Sequence, residues 1–371
     1  MNKKIRLVIL LVCVILFLLI APILVAYSMG YRFDFEKMRI VITGGIYVRT
    51  FPTADQITID SNISEKPGLF TNYIFVQSLL PKKHTISIKK SGYYDYFKTL
   101  PVQEGLAAKL ENVLLFKKDI SFELITDKTL SPFILADKFI IRNGNLYYSN
   151  IKENSGLTAI QKSTPLLKKI VAFNLQGNNI LWIGTDGFIY KSDLSSLSAA
   201  PVKLTIAPLK IDRAGVYKII SDDKNIFVNN NGSLLFLNPK TGILDNFYSQ
   251  VKDAKISPDG KNIVYFTNNE LLISALSEGP GKAIKLYSSA EEITDFVWLN
   301  KDYIIVASVN KIIISEIDYR GNINTVALPQ IITISDKTIE TKNPQISFNQ
   351  QSGKLYILTG GNLLLSEKII P

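Results

Sequence analysis

The chain has 371 residues, of which 47% are hydrophobic and 20% charged, with a formal net charge of +10 and one cysteine. That balance excludes a disordered chain and leaves room for a large domain beside a small one. Because Cys13 stands alone, it also excludes a disulfide framework and any cysteine-based metal site.

The first element is LVILLVCVILFLLIAPILVA, Leu7 to Ala26, twenty residues without a charge. As a helix it crosses about 30 Å, the thickness of a bilayer's hydrocarbon layer. Lys3, Lys4 and Arg6 precede it. Positive residues stay on the cytoplasmic side, so residues 1–6 are expected as a short cytoplasmic tail, 7–27 as a transmembrane helix, and the rest outside. A cleaved signal peptide is the alternative: its apolar core is usually about 7–15 residues, although Ala26-Tyr27-Ser28 does offer small residues at a peptidase spacing. Cys13 follows Leu11-Val12 in the middle of the run, without the small residues of a lipidation signal, and is expected to face lipid.

The positive charge is uneven. Residues 1–118 carry 16 Lys and Arg against 8 Asp and Glu, whereas residues 119–371 carry 26 against 24. Lys82-Lys83, Lys89-Lys90 and Lys117-Lys118 are expected first as a solvated face of a β-domain. The alternative is contact with anionic headgroups or an anionic wall polymer, each basic residue then contributing about 1 kcal/mol.

Residues 28–42, with Gly30-Tyr31-Arg32-Phe33-Asp34-Phe35, have the mixed aromatic and charged character of the water side of a membrane helix and are expected to be a linker. Strand-sized runs follow: IYVRTF, QITID, IFVQSL, HTISIKK, YFKTLPV and ENVLLF. Ile86 and Ile88 alternate with Ser87 and Lys89, the period-2 pattern of a half-buried strand. Gly45-Ile46-Tyr47-Val48, Pro52-Thr53-Ala54, Ile57-Thr58-Ile59-Asp60, Leu80-Pro81, His84-Thr85-Ile86-Ser87-Ile88 and Ser91-Gly92-Tyr93 occur in that order. Over about residues 43–117 the order resembles the PEGA family, with Pro81-Lys82 standing where that family usually has Pro-Gly. The resemblance implies a compact extracytoplasmic β-sandwich that acts as an adhesion or spacer module, with no catalytic residue. His84, the lone histidine, has no second His or Cys with which to share a metal and is expected to be a sheet or turn residue.

From about residue 130 paired strands recur: FIIRNGNLYYS, ILWIGTDGFIYKS, IFVNNNGSLLFL, IVYFTNNELLIS, YIIVASVNKIIIS and LYILTGGNLLLS. The first strands begin at Phe139, Ile180, Ile226, Ile263, Tyr303 and Leu355, at intervals of 41, 46, 37, 40 and 52. A further short run precedes each pair (PFIL, IVAF, YKII, AKIS, DFVW, QISF), and a fourth follows each of the first five, such as VKLTI and AIKLY. Four strands recurring near 40 residues are the signature of β-propeller blades. Residues 119–371 are therefore expected as a six-bladed propeller, making the whole chain mainly β. The last pair runs into Pro371 without a fourth strand, so Ser121–Ile125 is expected to supply it and close the ring, removing two exposed sheet edges. Ser257-Pro258-Asp259-Gly260 resembles the turn of WD40-like and TolB-type propellers, which bears on fold and not on activity. Residues 221–223 and 349–353 occupy the same slot and are expected as turns, as are Thr185-Asp186-Gly187 and Asn229–Gly232.

A serine triad needs a base, normally histidine, and residues 119–371 contain none, nor a G-x-S-x-G elbow. Arg142, Arg213 and Arg320 could in number form a sialidase-like carboxylate clamp, but they fall at unequal places in their repeats and the Asp-box of those enzymes is absent. The carboxylates of Asp222-Asp223 and Glu291-Glu292 are adjacent and would face opposite ways on a strand. No calcium-loop pattern and no basic, aromatic nucleic-acid patch occurs. Neither catalytic residues, nor a cofactor, nor a metal site, nor nucleic-acid binding is expected. The expected function is that of a membrane-anchored, extracytoplasmic binding or scaffold protein of the cell envelope, whose partner is a protein or an anionic polymer. The alternative is an envelope glycan hydrolase or lyase acting in the propeller channel.

Overall fold

The computed structural model describes residues 3–68, 70–126, 132, 139–148, 164–212, 214–278, 282–334 and 337–370. Strands dominate, and among the described residues no sheet closes into a barrel. The one long helix, α1 (Lys3–Ser28), extends the expected span by a turn at its start. Its stretch Ile5–Ser28 is long and apolar enough to cross a membrane, and none of it is buried against protein. The remaining chain forms two compact units.

The first unit is residues 1–119 together with 320–324 and 370–371. Where the sequence suggests a plain linker, the chain forms a hairpin of β1 (Tyr31–Asp34) and β2 (Arg39–Ile42). Then come β3 (Gly44–Phe51), β4 (Gln56–Ile59), β5 (Ile63–Glu65), β6 (Tyr73–Leu79), β7 (Lys83–Lys89), β8 (Tyr96–Pro101) and β9 (Ala107–Leu114). They make two sheets, ordered β6-β3-β9 and β5-β4-β7-β8. Alternation decides which side chains meet between them: Ile46, Val48, Ile57, Ile59, Ile86, Ile88 and Leu110 enter one core, while Thr85 and Lys89 stay outside. The pairing of β3 with β9 is parallel, which alternation alone does not reveal.

Two glycine sites shape this unit for different reasons. A Cβ on Gly44 would lie 2.5 Å from the carbonyl oxygens of Gln103 and Leu106, so close backbone approach requires its absence. Gly92 takes φ +79 with open space around it and turns the chain so that Tyr93 packs on the core. At the edge of the second sheet the Asn322 amide imitates a strand: its Oδ1 accepts from the Thr99 N–H at 2.9 Å and its Nδ2 donates to the Phe97 carbonyl at 2.6 Å. That cover satisfies groups which an open edge strand would leave bare.

The second unit is residues 120–319 and 325–369. It begins with β10 (Phe122–Ile125), then β11 (Phe139–Arg142), β12 (Asn145–Tyr148) and β13 (Leu167–Lys168), the last three forming one sheet. Four four-stranded sheets follow in sequence order. They are β14 (Ile170–Gln176), β15 (Asn179–Gly184), β16 (Ile189–Asp193) and β17 (Val202–Lys203); then β18 (Tyr217–Ser221), β19 (Ile226–Asn230), β20 (Ser233–Leu237) and β21 (Leu244–Tyr248). The next two contain β22 (Asp253–Ile256), β23 (Asn262–Phe266), β24 (Glu270–Ala275) and β25 (Ile284–Ser288), and β26 (Ile293–Trp298), β27 (Tyr303–Ser308), β28 (Lys311–Glu316) and β29 (Thr325–Ala327). Every pairing within these sheets is antiparallel.

The long last interval of the repeat contains an extra hairpin, β30 (Ile331–Ile334) with β31 (Lys337–Glu340). The chain ends with β32 (Gln345–Asn349), β33 (Lys354–Thr359) and β34 (Asn362–Lys368), and β10 joins them in the order β10-β34-β33-β32. Phe122, Glu123, Leu124 and Ile125 face Ser366, Leu365, Leu364 and Leu363, the strand pairing expected for Ser121–Ile125. The expected strand PFIL lies outside the described residues beyond Pro132.

Local chemistry fixes the turns. Ser257 Oγ donates to Asp259 Oδ1 at 2.7 Å and accepts from the Asn262 N–H at 3.0 Å, while Gly260 takes φ +67. Burial works against the Asp259 charge, but the Ser257 hydroxyl and the Lys261 N–H together hold its carboxyl below the usual range. Asp222 Oδ1 accepts from the N–H groups of Lys224 and Asn225, and Asn349 Oδ1 from those of Gln351 and Ser352, so the two equivalent slots are also turns.

Candidate functional site

Three successive first strands of the second unit, β18, β22 and β26, are linked by charge near their starts. Lys218 on β18 reaches both carboxylate oxygens of Asp253 on β22, at 2.7 and 2.8 Å. One sheet further on, Lys252 pairs with Glu292, and Lys255 with Asp295 at 2.9 Å. Lys255 Nζ also donates to the Phe296 carbonyl and stands 4.8 Å from the centre of that ring. Side chains on first strands point to the neighbouring sheet, so a lysine in one repeat meets an acid 35 to 40 residues later. Each pair contributes at most about 1 kcal/mol, because all are partly solvated.

Two of these pairs border a cavity of about 800 Å3 at the end of the sheets where β18, β22 and β26 begin. Lys218, Asp253, Lys252 and Glu292 carry its charge, which sums to zero, and Asn231 and Thr294 add polar groups. The wall is rigidly tied. Buried Asn229 donates to the carbonyls of Val251 and Lys252 at 3.0 and 3.2 Å and accepts from the Gly232 N–H at 2.9 Å. Asn231 accepts from the Val216 N–H at 2.6 Å. A neutral ring of paired cations and anions can exchange its internal partners for those of a polar ligand without leaving a charge bare. The volume falls within the range of small-molecule pockets.

Thr185-Asp186-Gly187 is a turn, as expected, but of Asn229–Gly232 only Asn231-Gly232 turns, since Asn229 and Asn230 end β19; Asn229, Asn231 and Gly232 also wall the cavity. The charged pairs carry no sequence motif; their one signal is that Lys218, Lys252-Asp253 and Glu292 lie in or just before equivalent first strands in YKII, KDAKIS and EEITDFVW.

Arg320 and the paired carboxylates weighed for chemistry have ordinary structural partners. Arg320 belongs to the first unit and donates to the Lys109 carbonyl at 2.9 Å, Arg142 ends β11 in the second, and Arg213 lies outside the described residues. Glu291 accepts from the backbone and side-chain nitrogens of Asn310, whereas Glu292 turns to Lys252. Asp223 accepts from Gln176, while Asp222 serves its own turn. Among the described residues no group of three or more His, Cys, Asp or Glu side chains is placed to hold a metal ion. His84 is buried in the first unit, with Nδ1 2.5 Å from Asp60 Oδ2 and Nε2 2.8 Å from the Leu80 carbonyl.

No family model and no curated protein matches the chain. Among solved structures it is similar to the extracellular domain of BT4673 from B. thetaiotaomicron, described in one structure as that of a hybrid two component system and in another as that of a one component system. Identity is 12% in both, with TM-scores of 0.42 and 0.43. The matches cover 62% and 80% of this chain but only 32% and 44% of those chains, so the chain spans less than half their length.

Proposed function

We propose that the chain is a single-pass envelope protein, anchored by α1 with its N-terminus inside, that binds a polar partner through its second unit. The six successive sheets of that unit are read as propeller blades, with β10 completing the last. Support comes from their uniform antiparallel order and from the β10–β34 register. The first unit is read as a PEGA-like spacer, supported by its two sheets on one core and by the turn at Gly92-Tyr93.

The observation that carries the binding reading is the cavity bordered by Lys218–Asp253 and Lys252–Glu292. Its groups recognise donors and acceptors at once and suit a protein segment or a polymer of the envelope. The test is retention of an isolated envelope fraction on the immobilised full chain. Thr294→Trp, which fills the cavity from an exposed position, should abolish retention and leave the melting temperature unchanged. Retention indifferent to that change, or glycan turnover lost on altering Arg142 or Arg320, overturns the reading. A reporter fused after Pro371 checks topology and should be active only outside the cytoplasm.

A further inference from the structure

The β1–β2 hairpin has two unlike faces. In its register Tyr31 stands opposite Ile42 and Phe33 opposite Ile40, so these four share one side, while Arg32, Asp34, Arg39 and Val41 share the other. The second side is fastened to the first unit. Val41 and Asp34 are buried, Arg39 pairs with Glu104 at 3.3 Å, and Lys82 reaches Glu36 beside the turn at 2.8 Å.

Among the described residues the apolar side is mostly uncovered: Ile42 at the hairpin base is half-buried, while Tyr31 and Phe33 are exposed. Ile40 is 68% exposed, and at the hairpin turn Phe35 is 80% and Met38 72% exposed. Phe33 and Phe35 pack edge to face, 5.0 Å apart. Scattered apolar residues on a surface are ordinary, but a hairpin face made of nothing else marks an interaction surface.

Its position names the occupant. The hairpin begins three residues after Ser28, the last residue of α1. It is locked to that helix, because the Arg32 guanidinium lies 3.4 Å from the centre of the Tyr27 ring and donates to the Tyr27 carbonyl at 2.7 Å. Thr43 closes the hairpin base on the Gly30 carbonyl. A 26-residue helix is about 39 Å long, longer than the hydrocarbon layer of about 30 Å, so its end reaches the headgroup zone. Strands of four residues span only about 13 Å and can lie flat within that zone. Tyr27, Tyr31, Phe33 and Phe35, with Arg32, Lys37 and Arg39 beside them, have the aromatic and basic composition of a membrane-water interface.

We propose that the β1–β2 hairpin is a second membrane contact: its Phe33, Phe35, Met38 and Ile40 face inserts among the headgroups of the outer leaflet and fixes the first unit against the bilayer. This rests on the reading of α1 as a membrane anchor.

The test uses the full chain with Cys13→Ser and a single environment-sensitive fluorophore on Met38→Cys, reconstituted in phosphatidylcholine/phosphatidylglycerol vesicles. A matched chain carries the probe on Lys89→Cys, exposed at the far end of β7. The Met38 probe should be quenched severalfold by lipids with a nitroxide near the headgroup and shielded from aqueous iodide, and the Lys89 probe should behave oppositely. If the chain resists carbonate extraction but the Met38 probe is quenched by iodide and not by lipid, the hairpin inference falls while the anchor stands. Shielding from both quenchers overturns it too, in favour of a second copy or another protein on that face. A chain released by carbonate overturns the anchor reading and the inference with it.

Discussion

Phe122 stands opposite Ser366, so a strand from the start of the second unit completes a sheet whose other three strands come from its end. Such a pairing ties the two ends of the unit together and leaves the edge of β34 covered. In a chain with Cys13→Ser, Leu124→Cys and Leu364→Cys should crosslink on mild oxidation, since these two residues are directly paired. Closing so long a loop should raise stability by about 2–4 kcal/mol, read as a higher unfolding temperature that reductant reverses. Failure of the pair to crosslink under oxidant would sink the β10–β34 register.

The buried His84 links Asp60 to the Leu80 carbonyl across the first unit. Asp60 is itself held in place, since its other oxygen accepts from the Thr85 N–H at 2.9 Å. His84→Ala takes the ring away from Asp60 Oδ2 and from the Leu80 carbonyl, which keeps only the Lys82 N–H, at a cost of about 1–3 kcal/mol. Urea unfolding should show the loss in the first unit, and adding Asp60→Ala to His84→Ala should cost less than the sum of the single changes. Additive losses would show that the two side chains do not act together.

Much of this architecture is legible in the residues. Period-2 runs such as His84–Lys89 mark the strands, and the recurrence of paired strands at intervals near 40 residues marks the sheets. The strand-sized run Phe122–Ile125, which fits no other repeat, points to β10. Other features have no local signature. The parallel neighbour of β3 depends on which distant strand arrives beside it. Tyr31–Phe35 carries aromatics whose alternation is too short to separate a hairpin from an interfacial linker. The Lys218–Asp253 and Lys252–Glu292 pairs join different repeats, so they emerge only when first strands are compared across sheets. The hairpin of β30 and β31 hides inside an interval that looks merely long.

Gly44 and Gly92 should respond differently to alanine. At Gly44 the new methyl meets backbone oxygens of Gln103 and Leu106, which cannot move without shifting the β8–β9 connection. The expected loss is about 1–3 kcal/mol by overpacking. At Gly92 there is space, and only the left-handed backbone is penalised, by about 1–2 kcal/mol. Asparagine, which tolerates that conformation, should recover much of the Gly92 loss and none of the Gly44 loss, as measured by thermal unfolding. Equal rescue at both sites would contradict the steric account of Gly44.

Acid should weaken the second unit through two turn carboxylates. The Ser195 hydroxyl and N–H hold the Asp193 carboxyl below its usual range, and the Ser257 hydroxyl with the Lys261 N–H does the same for Asp259 against the opposing effect of burial. An unfolded aspartate titrates near about 3.9. Below that value the unfolded chain takes up these protons before the folded one does, so stability rises with pH across the window. The contribution is complete above about pH 4–5 and disappears as the pH falls through the lower folded-state values. Both groups are largely exposed, so the effect is modest and weakens in salt. Ser195→Ala and Ser257→Ala should each flatten the acid limb of a stability-pH profile taken by urea unfolding and leave the difference from wild type constant near neutrality. An acid limb as steep in the double variant as in the wild type would place the acid sensitivity in other carboxylates.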